Sequence, residues 1–195
     1  DLYPGEYIIE IGKKIIESNK SQKFESFDDS LVLLKKESLK HSMNLIKSDL
    51  KELGIEHDNF FSETKLTENK LVDKAINLLK EKNYVQEGYL EPPKGETDRN
   101  WKKNKRLIFK STLFDDDADR ALKKNDDTWT YFANDVGYHM DKVNRGYKYL
   151  INVLGADHTG YIKRIIAAVN ALSDNKVKLN CKVCQLVKLF KDGKP

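Results

Sequence analysis

"YLINVLGADHTGYIKRIIAAVNALSDNKVKLNCKVCQLVKLF", residues 149–190, is the stretch on which the fold turns. Its first run, 149–155, is apolar and ends at Gly155. After the turn "ADHT", the segment "GYIKRIIAAVNALS", 160–173, carries helical spacing. A second apolar run, "CKVCQLVKLF", 181–190, reads as strand again. Strand, helix and strand, with strands too apolar for a half-solvated sheet, predict parallel pairing through a crossover helix. The alternation extends upstream: "TWTYFA", 128–133, reads as strand and "DVGYHMDKVNRGY", 135–147, as helix. The expected class is α/β, with a parallel sheet of the doubly wound kind.

Such sheets bind ligands outside the carboxyl ends of their strands. That rule selects two places, "FAND" at 132–135 and "GADHTG" at 155–160. In the second, Gly155 has no Cβ, so a planar ligand such as a nucleoside can approach the backbone. Asp157 can accept hydrogen bonds from ribose hydroxyls, and His158 can donate or accept. The helix start adds a positive end that favours an anion. The plainer alternative is a strand-to-helix turn capped by Asp157, and the pattern is not the G-x-G-x-x-G of dinucleotide sites. In the first place, Asp135 is expected to open a helix, beside Tyr131. The helix dipole favours a carboxylate there. Guanidinium is the best-matched cation, because its fork of donors meets both carboxylate oxygens. The plainer alternative is an Asp cap next to a core Tyr.

The first third reads as helical. "GEYIIEIGKKIIES", 5–18, places Ile8, Ile11, Ile15 and Ile16 near one face. The patch "ESNKSQKFES", 17–26, reads as a loop. A long helix follows over 30–53, with Met43, Ile46 and Leu50 in register and Gly54 as its stop. "IEHDNFF", 55–61, reads as a short strand, and "TENKLVDKAINLLKEKN", 67–83, as a helix with Leu71, Ile76 and Leu79 inward. The stretch 84–128 holds β-rich runs broken by Pro92, Pro93 and Gly95, as hairpins would be. The expected organisation is therefore a helical segment (1–54), a strand–helix unit (55–83), a β-rich insertion (84–128) and an alternating α/β part (129–195).

Composition sets outer limits. At 39% hydrophobic and 34% charged residues, the chain is neither disordered nor a membrane protein, since no run approaches the roughly 20 apolar residues of a bilayer span. Net charge is +4, too small to imply nucleic acid by itself. The basic run "WKKNKR", 101–106, could touch phosphates and a base, or be a solvated loop. Two cysteines, Cys181 and Cys184, exclude a disulfide scaffold and fit a reducing compartment. Their C-x-x-C spacing lacks the other two ligands of a zinc site. The acidic run "DDDADR", 115–120, would need Gly at its sixth position and Glu at its twelfth to bind calcium; it has Arg120 and Asp126, and reads as a solvated turn. The chain opens without Met or a signal-like segment and closes on "FKDGKP", so it is expected to be an internal piece of a longer protein.

Six segments, in order, carry a family resemblance: "YPGEYI", "LGIEHDNFFSE", "LEPPKGET", "DDDADRALKKNDDTWTYFANDVGYHMDK", "LINVLGADHTGYIKR" and "CQLVKLFKDGKP". Together they resemble the catalytic region of arginyl-tRNA synthetases of the alphaproteobacterial kind. The resemblance implies a class I synthetase with a Rossmann-type catalytic domain, in which this chain supplies part of the parallel sheet, flanking helices and the β-rich insertion. It implies ATP-dependent activation of L-arginine and transfer to tRNA(Arg), with Mg2+ accompanying ATP and no structural metal. It implies cytoplasmic location and, as the family's usual state, a monomer. It makes Tyr131, Asp135 and His158 the candidate arginine contacts, and Gly155, Asp157 and His158 the candidate ATP contacts. Relatives often carry Gly where Asp127 stands and Pro where Asn134 stands. No H-x-G-H occurs and no KMSKS-like segment is present, so no catalytic residue is assigned and the isolated chain is expected to be inactive. The competing reading is a non-catalytic nucleotide- or RNA-binding module on the same fold.

Overall fold

The computed structural model describes residues 5–20, 24, 26–90, 104–187 and 190. Trp101 to Lys103 of the basic run, and Pro92, Pro93 and Gly95, lie outside the described residues. The chain divides into two compact units, Asp1–Phe60 and Phe61–Pro195.

The first unit holds α1 (Glu6–Ser18) and α2 (Phe27–Glu52). Ile11 and Ile15 of α1 are buried, whereas Ile8 and Ile16 of the expected stripe are exposed. Ser26 caps α2 by accepting from the Asp29 amide at 3.2 Å, and Gly54 closes it at φ 72°, as its position in the sequence suggests. The expected strand at 55–61 does not form. His57 and Phe60 instead pack ring to ring at 5.4 Å, with Lys47 over the Phe60 ring.

The second unit carries the core that positions the site. The helix expected from Thr67 is two helices, α3 (Thr64–Glu68) and α4 (Leu71–Glu81). Lys70 takes left-handed φ 50° between them and breaks the spiral. Three short strands, β1 (Val85–Gly88), β2 (Arg106–Phe109) and β3 (Arg120–Ala121), form an antiparallel sheet in that order. Among the described residues of 84–128, the antiparallel pairs β1–β2 and β2–β3 match the expected hairpins. Next come α5 (Tyr131–Asn144), β4 (Tyr149–Gly155), α6 (Ile162–Ser173) and β5 (Lys178–Cys184). β4 and β5 pair in parallel, Tyr149 opposite Lys178 through Gly155 opposite Cys184, with α6 as the crossover between them. The mixed helix–strand class holds, and the parallel sheet comprises these two strands among the described residues. β5 begins at Lys178, before the stretch read from sequence, and ends at Cys184.

One core joins these layers, with Ile76 and Leu79 of α4, Phe109 of β2, Val136 of α5 and Val169 of α6 all buried. Gly137 lets α5 lie close on α4, since a Cβ there would meet the Val72 backbone at 3.0 Å. Lys82 ties α4 to the far end of α6 by donating to the Ala171 and Leu172 carbonyls, both at 3.1 Å.

Two local expectations are corrected. "TWTYFA" is not a strand. Only Trp129 bridges, to Lys123, and Thr130 then turns the chain into α5 as its N-cap, its hydroxyl accepting from the Ala133 amide at 3.2 Å. A β-rich composition at 128–133 is overridden by that cap. "DDDADR" is solvated only in part: Asp115, Asp117 and Ala118 are exposed, whereas Asp116 is not. Asp116 is buried and held by Arg120 through two bonds of 2.7 Å. Burial opposes its ionisation, but Arg120, the Asp117 amide and Ser111 outweigh it and hold the carboxyl down at about 2. In the turn before α5, Asp127 takes the left-handed φ of 62° that Gly, often present there in relatives, adopts without cost, and the Lys124 amide donates to the Thr128 carbonyl at 2.8 Å.

Candidate functional site

Helix α5 starts four residues earlier than its sequence suggests, and this changes what Asp135 is. It lies in the second turn, not at the cap. It is therefore beyond the first turn, where the helix dipole acts most strongly. Its benefit is geometric. Tyr131, Asn134, Asp135 and Tyr138 stand at i, i+3, i+4 and i+7, one face of the helix. That face lines a cavity of about 310 Å3, closed on the other side by Phe61, Glu63 and Leu66. Phe61 packs on Tyr138 with ring centroids 4.8 Å apart. The charged lining consists of two carboxylates, Glu63 and Asp135, with no Lys or Arg among the lining residues. A cavity with this lining suits a cation.

Tyr131 and Asp135 thus both line this cavity, but they are not hydrogen-bonded partners. Tyr131 is 79% exposed, with Lys124 Nζ 5.5 Å from its ring centroid. The hydroxyl that donates to Asp135 Oδ2, at 2.7 Å, belongs to Tyr161. Burial pushes the Asp135 carboxyl above its ordinary range, and the Tyr161 hydrogen bond pulls against that. Tyr161 lies 26 residues on, at the end of the "GADHTGY" turn, and no local sequence signal pairs the two.

That turn is a 3-10 segment, Ala156–Tyr161, between β4 and α6. Asp157 makes no capping bond. Its carboxylate folds back over Gly155, in the space a Cβ would fill, and lies 3.4 Å from His158 Nε2. A Cβ at residue 155 would meet only this exposed carboxylate, which is free to swing aside. Asp157 and His158 are exposed and do not line the cavity. They join it through Tyr161, whose ring meets the His158 ring edge-on at 6.4 Å. The two places chosen from sequence are therefore neighbours, and Tyr161 is the residue between them.

Behind the pocket runs a buried polar chain that the sequence does not announce. Lys142 Nζ donates to Asn152 Oδ1 at 2.9 Å. This fixes the amide, whose nitrogen then donates to His139 Nε2 at 2.9 Å. His139 Nδ1 lies 2.8 Å from the Asp135 carbonyl, which can only accept, so Nδ1 carries the proton and the ring is neutral. Burial pushes the imidazole down to about 4. The folded value lies below the unfolded one near 6.5, so this stabilisation is present above about pH 6.5 and is lost as pH falls towards 4. Its full size is roughly 3 kcal/mol. Between pH 7 and pH 4.5, His139→Gln is expected to lose less stability than the parent chain in urea unfolding; equal losses would mean that His139 is not buried neutral.

A second cavity, of about 550 Å3, lies over β2 and the turn before α5. Lys80, Lys105, Arg106, Lys123 and Lys124 line it against Glu87 and Asp127. Lys105 pairs with Glu87 at 2.6 Å, so a positive excess remains. Cys181 is half-buried, Cys184 is exposed, and both are free. Among the described residues no helix is long and apolar enough to cross a membrane, and no group of His, Cys, Asp or Glu is arranged to hold a metal.

No family model matches the chain. Whole-chain similarity to individual proteins is high. An arginine–tRNA ligase from Pelagibacter ubique is 57% identical over 195 residues, all of this chain and 34% of the relative. Arginine–tRNA ligases from Ehrlichia chaffeensis and Parvibaculum lavamentivorans are 48% and 44% identical over 98% and 100% of this chain. A crystal structure from Campylobacter jejuni, described as an arginyl-tRNA synthetase, superposes with a TM-score of 0.77 at 31% identity, over 100% of this chain and 39% of that one. The chain spans about a third of the length of the curated relatives it matches.

Proposed function

The chain is a segment of the arginyl-tRNA synthetase family, and from that premise we propose that it helps build a catalytic domain that activates L-arginine with ATP and passes it to tRNA(Arg). The observation that carries the specificity is the pocket on α5, whose charged lining is Asp135 and Glu63 alone. A guanidinium entering it meets two carboxylates and no Lys or Arg among the lining residues. Tyr131, at the rim, offers a hydroxyl and a ring face to the same group. On this reading the "GADH" turn faces ATP, with Gly155, Asp157 and His158 beside the nucleoside and Mg2+ arriving on the phosphates.

The Rossmann-type sheet belongs to the same proposal. Tyr149, Ile151 and Val153, on one face of β4, are 74%, 66% and 68% exposed. A parallel strand is ordinarily covered on both faces. Further strands and helices of the parent protein would complete this sheet, with 84–128 as an insertion.

Adenylate formation builds charge on the α-phosphate while pyrophosphate leaves, and class I enzymes stabilise that charge with HIGH-like and KMSKS-like segments, which this sequence lacks. The isolated 195 residues are expected to give no arginine-dependent pyrophosphate exchange above background, while the full-length enzyme does. Exchange by the isolated chain would refute this assignment of roles.

The basic cavity favours a second reading, RNA contact, on its own evidence. An RNA hairpin is expected to bind the chain with strong salt dependence. Replacing Lys123 and Lys124 with alanine should reduce the slope of log affinity against log salt by about one per lost phosphate contact. An unchanged slope would remove the cavity from RNA binding.

A further inference from the structure

Tyr161 sits where the two candidate substrate places meet, yet it does not line the pocket. Its ring is held on three sides. Phe132 meets it edge-on at 6.2 Å, His158 does so at 6.4 Å, and the Arg164 guanidinium lies 4.9 Å from its centroid. Its hydroxyl therefore has a fixed place, 2.7 Å from Asp135 Oδ2. Resting on the arginine pocket proposed above, we propose that Tyr161 is a positioning residue for arginine: its hydroxyl fixes the Asp135 carboxylate in the orientation that a guanidinium pairs with.

The neighbours explain why the carboxylate needs a fixed donor. Burial and the like charge of Glu63, just before α3, oppose its ionisation; Lys142 on the same helix and His158 on the turn favour it. Among these groups Tyr161 makes the hydrogen bond to the Asp135 side chain. Without it the carboxylate loses both its anchor and the contact that most favours its charge.

The test is Tyr161→Phe in the full-length enzyme, which removes one oxygen and keeps the ring. Hydrogen bonds to charged groups convert to a fall of about 10- to 100-fold in kcat/KM for arginine. The KM for ATP should stay within about twofold, since the ring still packs on His158. The acidic limb of the arginine kcat/KM profile should move to higher pH, because Asp135 becomes easier to protonate. A purely structural role would lower arginine and ATP parameters together and leave that limb in place, and this result would overturn the proposal. Asp135→Ala run in parallel separates the two levels. If it impairs arginine use while Tyr161→Phe does not, the positioning role alone is refuted; if Asp135→Ala also leaves arginine kinetics unchanged, the pocket assignment falls with it.

Discussion

Replacing Asp135 with alanine in the full-length enzyme is expected to lower kcat/KM for arginine by a factor of about 100 or more. The reason is the imbalance it leaves. On the proposed assignment, a bound guanidinium would give up water to enter a cavity walled by Phe61, Leu66 and Tyr138, and Asp135 would be the carboxylate on the α5 wall that offsets that cost. Removing one partner of a desolvated charge pair typically costs about 3–5 kcal/mol. Glu63 stays in the cavity and keeps some attraction, so the loss should be steep but incomplete. The effect belongs in the arginine terms, measured by varying arginine at saturating ATP; a change confined to ATP would place Asp135 elsewhere in the chemistry.

Phe109→Ala is expected to destabilise the Phe61–Pro195 unit by about 3–5 kcal/mol, the usual cost of deleting a buried aromatic ring. Phe109 is wholly buried on β2 and packs at 6.1 Å against both Phe114 and Phe132. Phe132 is the second residue of α5, next to Tyr131, so the ring supports the start of the helix that bears the pocket. Urea unfolding followed by circular dichroism at low temperature measures the loss. A change under about 1 kcal/mol would mean that β2 and α5 do not share one cooperative core.

What is legible in the sequence, and what is not, has physical reasons. "YLINVLG" and "GYIKRIIAAVNALS" are legible because apolar run, turn and helical period agree, and β4 and α6 follow from them; β5, Lys178–Cys184, overlaps the run 181–190 only at 181–184. "TWTYFA" misled because aromatic and β-branched residues look like a strand, while the deciding interaction is one hydroxyl, Thr130, capping a helix. Tyr131 and Asp135 line one cavity because they share a helix face four residues apart, not because they stand at a strand end and a cap. Tyr161, His139 and Asn152 escaped because their partners are distant in sequence: 26 residues separate Tyr161 from Asp135, and 13 separate Asn152 from His139. The tight ion pair inside "DDDADR" escaped because an acidic run ordinarily faces water, and only Arg120 folding back on Asp116 buries it.

Where the guanidinium sits is the question that most directly decides among these readings. A crystal structure of the full-length enzyme with L-arginine bound answers it. The expected result is the guanidinium in the α5 cavity, within hydrogen-bond distance of the Asp135 carboxylate, with the Tyr161 hydroxyl still on Oδ2. A guanidinium held by a different carboxylate, with the α5 cavity empty, would contradict it.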